Sequence, residues 1–296
     1  MDNLLSHTDS LFNHVYWFKS NFDLLPQKEH YGSAIDITDI SERKHDFLSE
    51  LVNTVTSWVY SNSKIDQIVS ERTQSVNGDL GNAYTFLTTK AFSKFRPGYP
   101  QGQFGELLLF NFIQHFFKAV PLLRKQPITT SVGHERFGAD GIHYKRSGDS
   151  NIILLGESKC YKSKYSFSSA FKTSLESIVS SFDELDEELD LYTYDDFIDP
   201  NLETIAKKFK KNTLPKVRFE LVCLVAYNEN MAKGGDNEEE IKNSIKEIIE
   251  ERCSNLSDDY FDNLKASLLK RINYIVFPIW ELDTLLKDFN TKVRVK

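Results

Sequence analysis

Asp140, Glu157 and Lys159 are the residues whose types and spacing could do chemistry together. That chemistry would be the binding of a divalent cation by paired carboxylates, with an ammonium beside them. Their arrangement follows from the segment that carries them. Ser147-Gly148-Asp149-Ser150 is turn chemistry, and Gly-Asp can supply the positive φ of a tight hairpin. A turn centred on Gly148-Asp149 sets Asp140 directly opposite Glu157. Opposed Cβ atoms of an antiparallel pair lie roughly 4.5–5.5 Å apart. Lys159, two residues beyond Glu157, projects on the same side. Like charges facing each other destabilise a sheet, and a divalent cation is the simplest offset.

Glu-x-Lys is a weak signal alone, because Glu42-Arg43-Lys44 and Glu240-Ile241-Lys242 repeat it. The first borders an expected helix start and the other lies in an amphipathic helix, where residues two apart do not share a face. The copy at Glu157 ends an apolar strand and has an Asp at the opposing hairpin position.

The elements that must hold this hairpin read as an α/β chain. Residues 1–100 are expected to form a helical region, with helices at 43–61 and 83–95 and an apolar stripe at Phe47, Leu51, Val55 and Trp58. Pro97, Gly98, Pro100 and Gly102 punctuate the chain and mark a boundary. Residues 101–296 then form the second domain. Residues 104–117 are apolar nearly all round, as in a buried helix. A strand at 127–132, the hairpin, a helix at 167–182 and an apolar strand at 217–227 follow. Helices at 238–252 and 258–270, a strand at 274–280 and a C-terminal helix complete the reading. The order is helix, three strands, helix, strand: a mixed sheet with helices on both sides.

Composition bounds the rest. The chain has 296 residues, 40% of them hydrophobic and 22 of them Phe, enough for a large core. Cys160, Cys223 and Cys253 form no Cys-x-x-Cys pair, which excludes a zinc ribbon and suits a reducing compartment. No signal peptide and no membrane-length apolar run is evident, so a soluble cytoplasmic protein is expected. No Walker-type phosphate loop is present, which argues against ATP hydrolysis in this chain. The net charge of −7 is awkward for a lone nucleic-acid binder. Acids crowd residues 183–196, and Lys207, Lys208, Lys210, Lys211, Lys216 and Arg218 form a basic run. Both read as solvated faces; the sharper reading is a phosphate-tracking patch beside an acidic surface.

Asp140 followed by Glu157-Ser158-Lys159 after an apolar strand resembles the PD-(D/E)xK nuclease superfamily, with its restriction-endonuclease-like core. Ala139-Asp140 stands where that superfamily has proline-aspartate. The helical N-terminal region with Gly105-Glu106, Gly138-Ala139-Asp140-Gly141 and Gly156-Glu157-Ser158-Lys159 resembles, more narrowly, the nuclease subunits of Hachiman anti-phage defence systems. The resemblance implies a metal-dependent deoxyribonuclease with Asp140, Glu157, Lys159 and Glu106 catalytic. It implies Mg²⁺, or Mn²⁺, held by Asp140, Glu157, the Ser158 carbonyl and Glu106. Glu106 has an alternative reading as an exposed first-turn carboxylate favoured by the helix dipole. DNA and a superfamily 2 helicase are the implied partners. Lys162, Lys164 and Lys172 are candidate phosphate contacts, each equally readable as ordinary surface lysine, and His134 has the strand parity to approach the metal. The Gln-x-x-x-Tyr element of RecB-type relatives is absent. Two other readings are a non-catalytic module on a nuclease scaffold and a stand-alone restriction enzyme.

Overall fold

Residues 221–227, apolar at almost every position, are buried on both faces of a central strand, which is where such a run is stable. The structure is a computed structural model and describes residues 4–95, 100–124, 139–162, 166–185, 189, 198–262 and 264–294. In chain order, α1 (Asp9–Phe12) leads into strands β1 (Val15–Ser20) and β2 (His30–Ile35) and the short pair β3 (Ile37–Thr38) and β4 (Ser41–Glu42). Helices α2 (Lys44–Asn53), α3 (Val55–Val59), α4 (Asn62–Ser75), α5 (Leu80–Phe92) and α6 (Pro100–Phe117) follow. Then come β5 (Val120–Leu123), β6 (Gly141–Ser147), β7 (Ser150–Tyr161), α7 (Ser166–Asp183), α8 (Glu203–Lys210) and β8 (Val217–Glu229). The chain ends with α9 (Glu238–Ser254), α10 (Ala266–Leu269), β9 (Ile272–Trp280) and α11 (Leu282–Val293).

Seven strands form one sheet in the order β1-β2-β9-β8-β7-β6-β5. β2, β9, β8 and β7 run parallel, while β6, β5 and β1 are antiparallel to their neighbours. One core layer joins α7 and α9 to one face, through Phe171, Leu175 and Ile245 against Leu155, Val225 and Tyr274. The other joins α2, α6 and α11 to the opposite face, through Phe47, Leu109, Ile113 and Phe289 against Leu154, Leu224 and Phe277. The expected mixed α/β architecture is therefore present, and α6-β5-β6-β7-α7-β8 reproduces the order helix, three strands, helix, strand. The three cysteines are buried and free.

The local differences have physical causes. The stripe Phe47, Leu51, Val55 and Trp58 is buried as expected. The helix carrying it breaks at Thr54, whose hydroxyl donates to the Leu51 carbonyl and accepts from Asn111. The first hundred residues also supply β1 and β2, so the sheet draws strands from both sides of residue 100. The expected strand at 127–132 lies outside the described residues. The observed edge strand is β5, which contains Pro121 at a register shift, where an edge strand tolerates proline. The expected helix at 258–270 is instead a 3-10 turn at Asp258–Tyr260 and the one-turn α10. Phe261 and Leu268 are each buried by a local turn there, not by a continuous stripe.

The β2–β9 seam is short, with Tyr31↔Ile275 and Gly32↔Val276 its paired residues. His30 extends it: the Tyr274 amide donates to Nδ1 at 3.2 Å, and Nε2 donates to the Pro26 carbonyl at 3.1 Å. Both bonds together require neutral imidazole. Burial pushes the His30 pKa from 6.5 down to about 4, against the bond to Pro26. Between those values the unfolded chain binds more protons than the native one, so acid favours unfolding. The melting temperature is expected to fall as pH drops from about 6.5 toward 4. His30→Gln should be less stable near neutrality but lose stability less steeply in acid. Melts from about pH 4.5 to about pH 8 check this; equal acid slopes in both proteins sink it.

Candidate active site

The hairpin register is the one its turn chemistry predicts. Gly141 pairs with Gly156 and Ser147 with Ser150, around a two-residue turn in which Gly148 has φ +55. Asp140 sits one residue before β6, so continued pairing would set it opposite Glu157. The ladder stops first. Asp140 Oδ2 instead accepts from the Ser158 amide and the Ser158 hydroxyl, both at 2.9 Å. Within a strand, the N–H and C=O of one residue leave the same edge, so the Ser158 carbonyl also points toward the Asp140 side.

Glu157 turns to Lys159, whose Nζ lies 2.7 Å from Oε1. The Glu157 side chain is 7% exposed and that of Lys159 25%. Burial pulls the Lys159 pKa down, but the Glu157 charge and hydrogen bond outweigh it, and Asp140 and Tyr161 add to them. The result lies above the ordinary lysine value, so Lys159 is an ammonium at neutral pH. Protein groups already offset charge at this strand end, with Lys159 on Glu157 and the Ser158 donors on Asp140.

α6 reaches this strand end because two side chains are missing. A Cβ on Gly156 would lie 2.7 Å from Ile113 Cδ1 and 2.9 Å from Leu109 Cδ2. A Cβ on Gly105 would meet Ser158 Oγ at 3.2 Å. Gln101 Nε2 also donates to the Cys160 carbonyl, tying the first turn of α6 to β7. Glu106 is half-buried and lies beyond that first turn, which removes its reading as an exposed first-turn carboxylate. Glu106 and Asp140 line one narrow cavity with Trp58, Phe110, Arg124 and His143. Arg124 and His143 escaped the sequence reading. The available signal was an arginine ending the apolar run 119–123, where a cation is costly unless it has a task.

The remaining candidates fall elsewhere. Lys162 follows β7 at the site end and pairs with Asp283 at 3.2 Å. Lys172, on α7, pairs with Glu176 at 3.8 Å and lies over Tyr260. Both are exposed. Lys164 and His134 lie outside the described residues. In the basic run Lys216 pairs with Asp149 of the hairpin turn, at the opposite end of the sheet. With β8 starting beside Asn151, Lys216 and Arg218 of that run are roughly 20 Å along the strands from Glu157, at about 3.3 Å per residue. The Glu42–Lys44 copy forms an ion pair at 2.9 Å, but Lys233 and Glu281 complete it as a salt-bridge network between β4 and α2.

As a cation site the donors suit a hard metal. Asp140 and Glu157 are oxygen ligands at one strand end, and Asp140 Oδ1 accepts no hydrogen bond among the described residues. Among the described residues, no three His, Cys, Asp or Glu side chains gather as a ready-made metal cluster. Mg²⁺ does not require one, since it is commonly held by one or two carboxylates with several waters.

The chain matches the HamA family over residues 13–293. No curated protein matches it.

The Asp140–Ser158 contact has a measurable cost of removal. Asp140→Ala strands a main-chain donor and is expected to cost about 1–3 kcal/mol, whereas Ser158→Ala, which removes one donor and leaves the amide bond, should cost about 1 kcal/mol or less. Urea denaturation in EDTA compares them. A larger loss for Ser158→Ala contradicts the assignment of the amide as the main partner.

Proposed function

The chain belongs to the HamA family, and from that membership we propose that it is the metal-dependent DNA nuclease of a Hachiman anti-phage defence complex. Membership makes it a component of that defence. No helix among the described residues is long and apolar enough to cross a membrane. The observation that carries the nuclease reading is the Lys159 ammonium locked at 2.7 Å on Glu157, with Asp140 at the same strand end. The α6-β5-β6-β7-α7-β8 order supports a PD-(D/E)xK core around it.

Asp140, Glu157 and the Ser158 carbonyl would hold Mg²⁺, or Mn²⁺ in its place, and Glu106 would add a carboxylate from α6. When bound, the cation acidifies a water and neutralises charge on the scissile phosphate. Lys159 then contributes positive charge to the phosphate, and orients the attacking water. It does not serve as the base, because a lysine with an ordinary value of about 10.4 is an ammonium near neutrality. Asp140 anchors the Ser158 amide, which fixes the adjacent carbonyl. Gly105 and Gly156 keep Glu106 within reach of this edge.

The acidic balance of the chain argues for delivered DNA. A net charge of −7 opposes polyanion capture from solution, and Lys216 and Arg218 of the basic run sit at the far end of the sheet. A superfamily 2 helicase partner in the cytoplasm would bring the strand to the site. Lys162 and Lys172 are then secondary contacts to the DNA backbone, with Lys164 in the same role.

Plasmid cleavage by the chain with its helicase partner, in Mg²⁺ or EDTA, tests this. Glu157→Ala and Lys159→Ala are expected to lower the rate by about 100-fold or more, with weaker loss in Glu106→Gln. Cleavage that survives either of the first two refutes the site. Mg²⁺ or Mn²⁺ should also raise the melting temperature of the wild type and not of Asp140→Ala. A non-catalytic module gives neither result, and a stand-alone restriction enzyme gives discrete fragments without the partner.

A further inference from the structure

The cavity beside Asp140 holds a guanidinium that the nuclease scheme does not use. Arg124 directly follows β5, and the β5–β6 register brings Leu123 opposite Ile142. The next position sets Arg124 beside Gly141, at the same end of the sheet as Asp140, Glu157 and Lys159. Arg124 is 8% exposed. Its one hydrogen bond among the described residues is a long one, from Nε to the Ser57 carbonyl at 3.4 Å, and Nη1 is buried without a partner.

A second arginine in the same fold shows what a structural guanidinium does here. Arg252 spends Nε and Nη2 on the two Glu229 oxygens at 3.0 and 2.6 Å, and Nη2 also reaches Asn230. Among the described residues no carboxylate hydrogen-bonds to Arg124 in this way. Glu106 and Asp140 line its cavity. Asp199 acts only at a distance. Burial lowers the Arg124 pKa to about 10, partly opposed by Asp199, so it stays charged at neutral pH. A buried cation with an idle donor is costly unless an anion completes it.

His143 adds a second idle group. It is 2% exposed, packs against Phe110, and neither ring nitrogen has a hydrogen-bond partner among the described residues. Burial and then the Arg124 charge push its pKa to about 3. Neutral imidazole offers one donor and one acceptor. The cavity measures about 20 Å³, room for one water-sized group and not for a base or sugar.

Resting on the nuclease reading, we propose that Arg124, with His143 beside it, holds a non-bridging phosphate oxygen of the bound DNA strand next to the Asp140–Glu157 site. A single oxygen fits the space, and guanidinium is the side chain that best matches phosphate. The contact puts one positive charge among carboxylates that would otherwise repel the strand. Arg124 is thus a substrate-positioning residue, and His143 supports it.

Fluorescence anisotropy with a labelled duplex tests this on the full chain with its helicase partner. Ca²⁺ replaces Mg²⁺ there, and cleavage is followed separately in Mg²⁺. Arg124→Gln is expected to weaken binding about tenfold or more and to reduce the slope of log K against log salt by about one contact. Its KM should rise, and Mg²⁺-linked thermal stabilisation should persist. Arg124→Lys should recover part of the affinity and most of the salt slope. It also tests the idea should Arg124→Gln fail to fold. A folded Arg124→Gln with wild-type affinity and salt slope overturns the proposal, as does Arg124→Lys matching Arg124→Gln in both. A wild type that binds the duplex but never cuts it removes the nuclease reading and leaves the salt-slope result standing. Binding of no duplex at all overturns both.

Discussion

β7 continues past the end of its partner β6, and the site depends on that overhang. Pairing with β6 ends at Gly156, but pairing with β8 runs on through Tyr161↔Tyr227. Residues 157–161 are thus held straight by the buried residues 223–227 of β8, while among the described residues no strand pairs with their other edge. An open edge leaves main-chain groups without ladder partners, and such groups must be satisfied some other way. Here a side chain does it: Asp140 takes the Ser158 amide. The same carboxylate that ends one ladder therefore fixes the main chain at which Glu157 and Lys159 emerge.

Rigidity behind the overhang is what lets charge be concentrated there. Glu157 is 7% exposed, and a carboxylate in that position is stable only with a close counter-charge. Lys159 supplies it from the same face, two residues on. α6 closes the opposite face at Gly156 and carries Glu106 toward the cavity where Asp140 and Arg124 meet. Three elements therefore bring charged groups to one strand end, Glu106 from α6, Arg124 from the end of β5, and Glu157 with Lys159 from β7.

The hairpin was readable because its signals are local. Turn residues fix register, register fixes parity, and parity fixes which side chains share a face. That chain of reasoning gave the β6–β7 pairing residue for residue and the partnership of Glu157 with Lys159. It erred on Asp140, since register does not say where a ladder stops. It also missed β5 and β2, which contain Pro121 and Gly32. An edge position excuses the proline, and Gly32 is needed because the Phe18 ring lies where its Cβ would be. Arg124 and His143 were invisible for a different reason. Nothing in the sequence around either says that the other is near, and only the β5–β6 pairing brings them to one cavity.

Both carboxylates of the site have partners within the protein. Asp140 spends Oδ2 on Ser158, and Glu157 spends Oε1 on Lys159. On the nuclease reading, Glu157 must share its carboxylate between Lys159 and a metal, so the metal competes with an ion pair that is already partly buried. A phosphate changes that balance, because it offers Lys159 a second anion and relieves Glu157 of part of its task. Metal and DNA would then favour each other's binding at this strand end, since each completes a charge the other leaves open. On that reading a protein of net charge −7 that depended on such coupling would hold its metal weakly until DNA arrived, and its acidic balance would make that arrival depend on a partner.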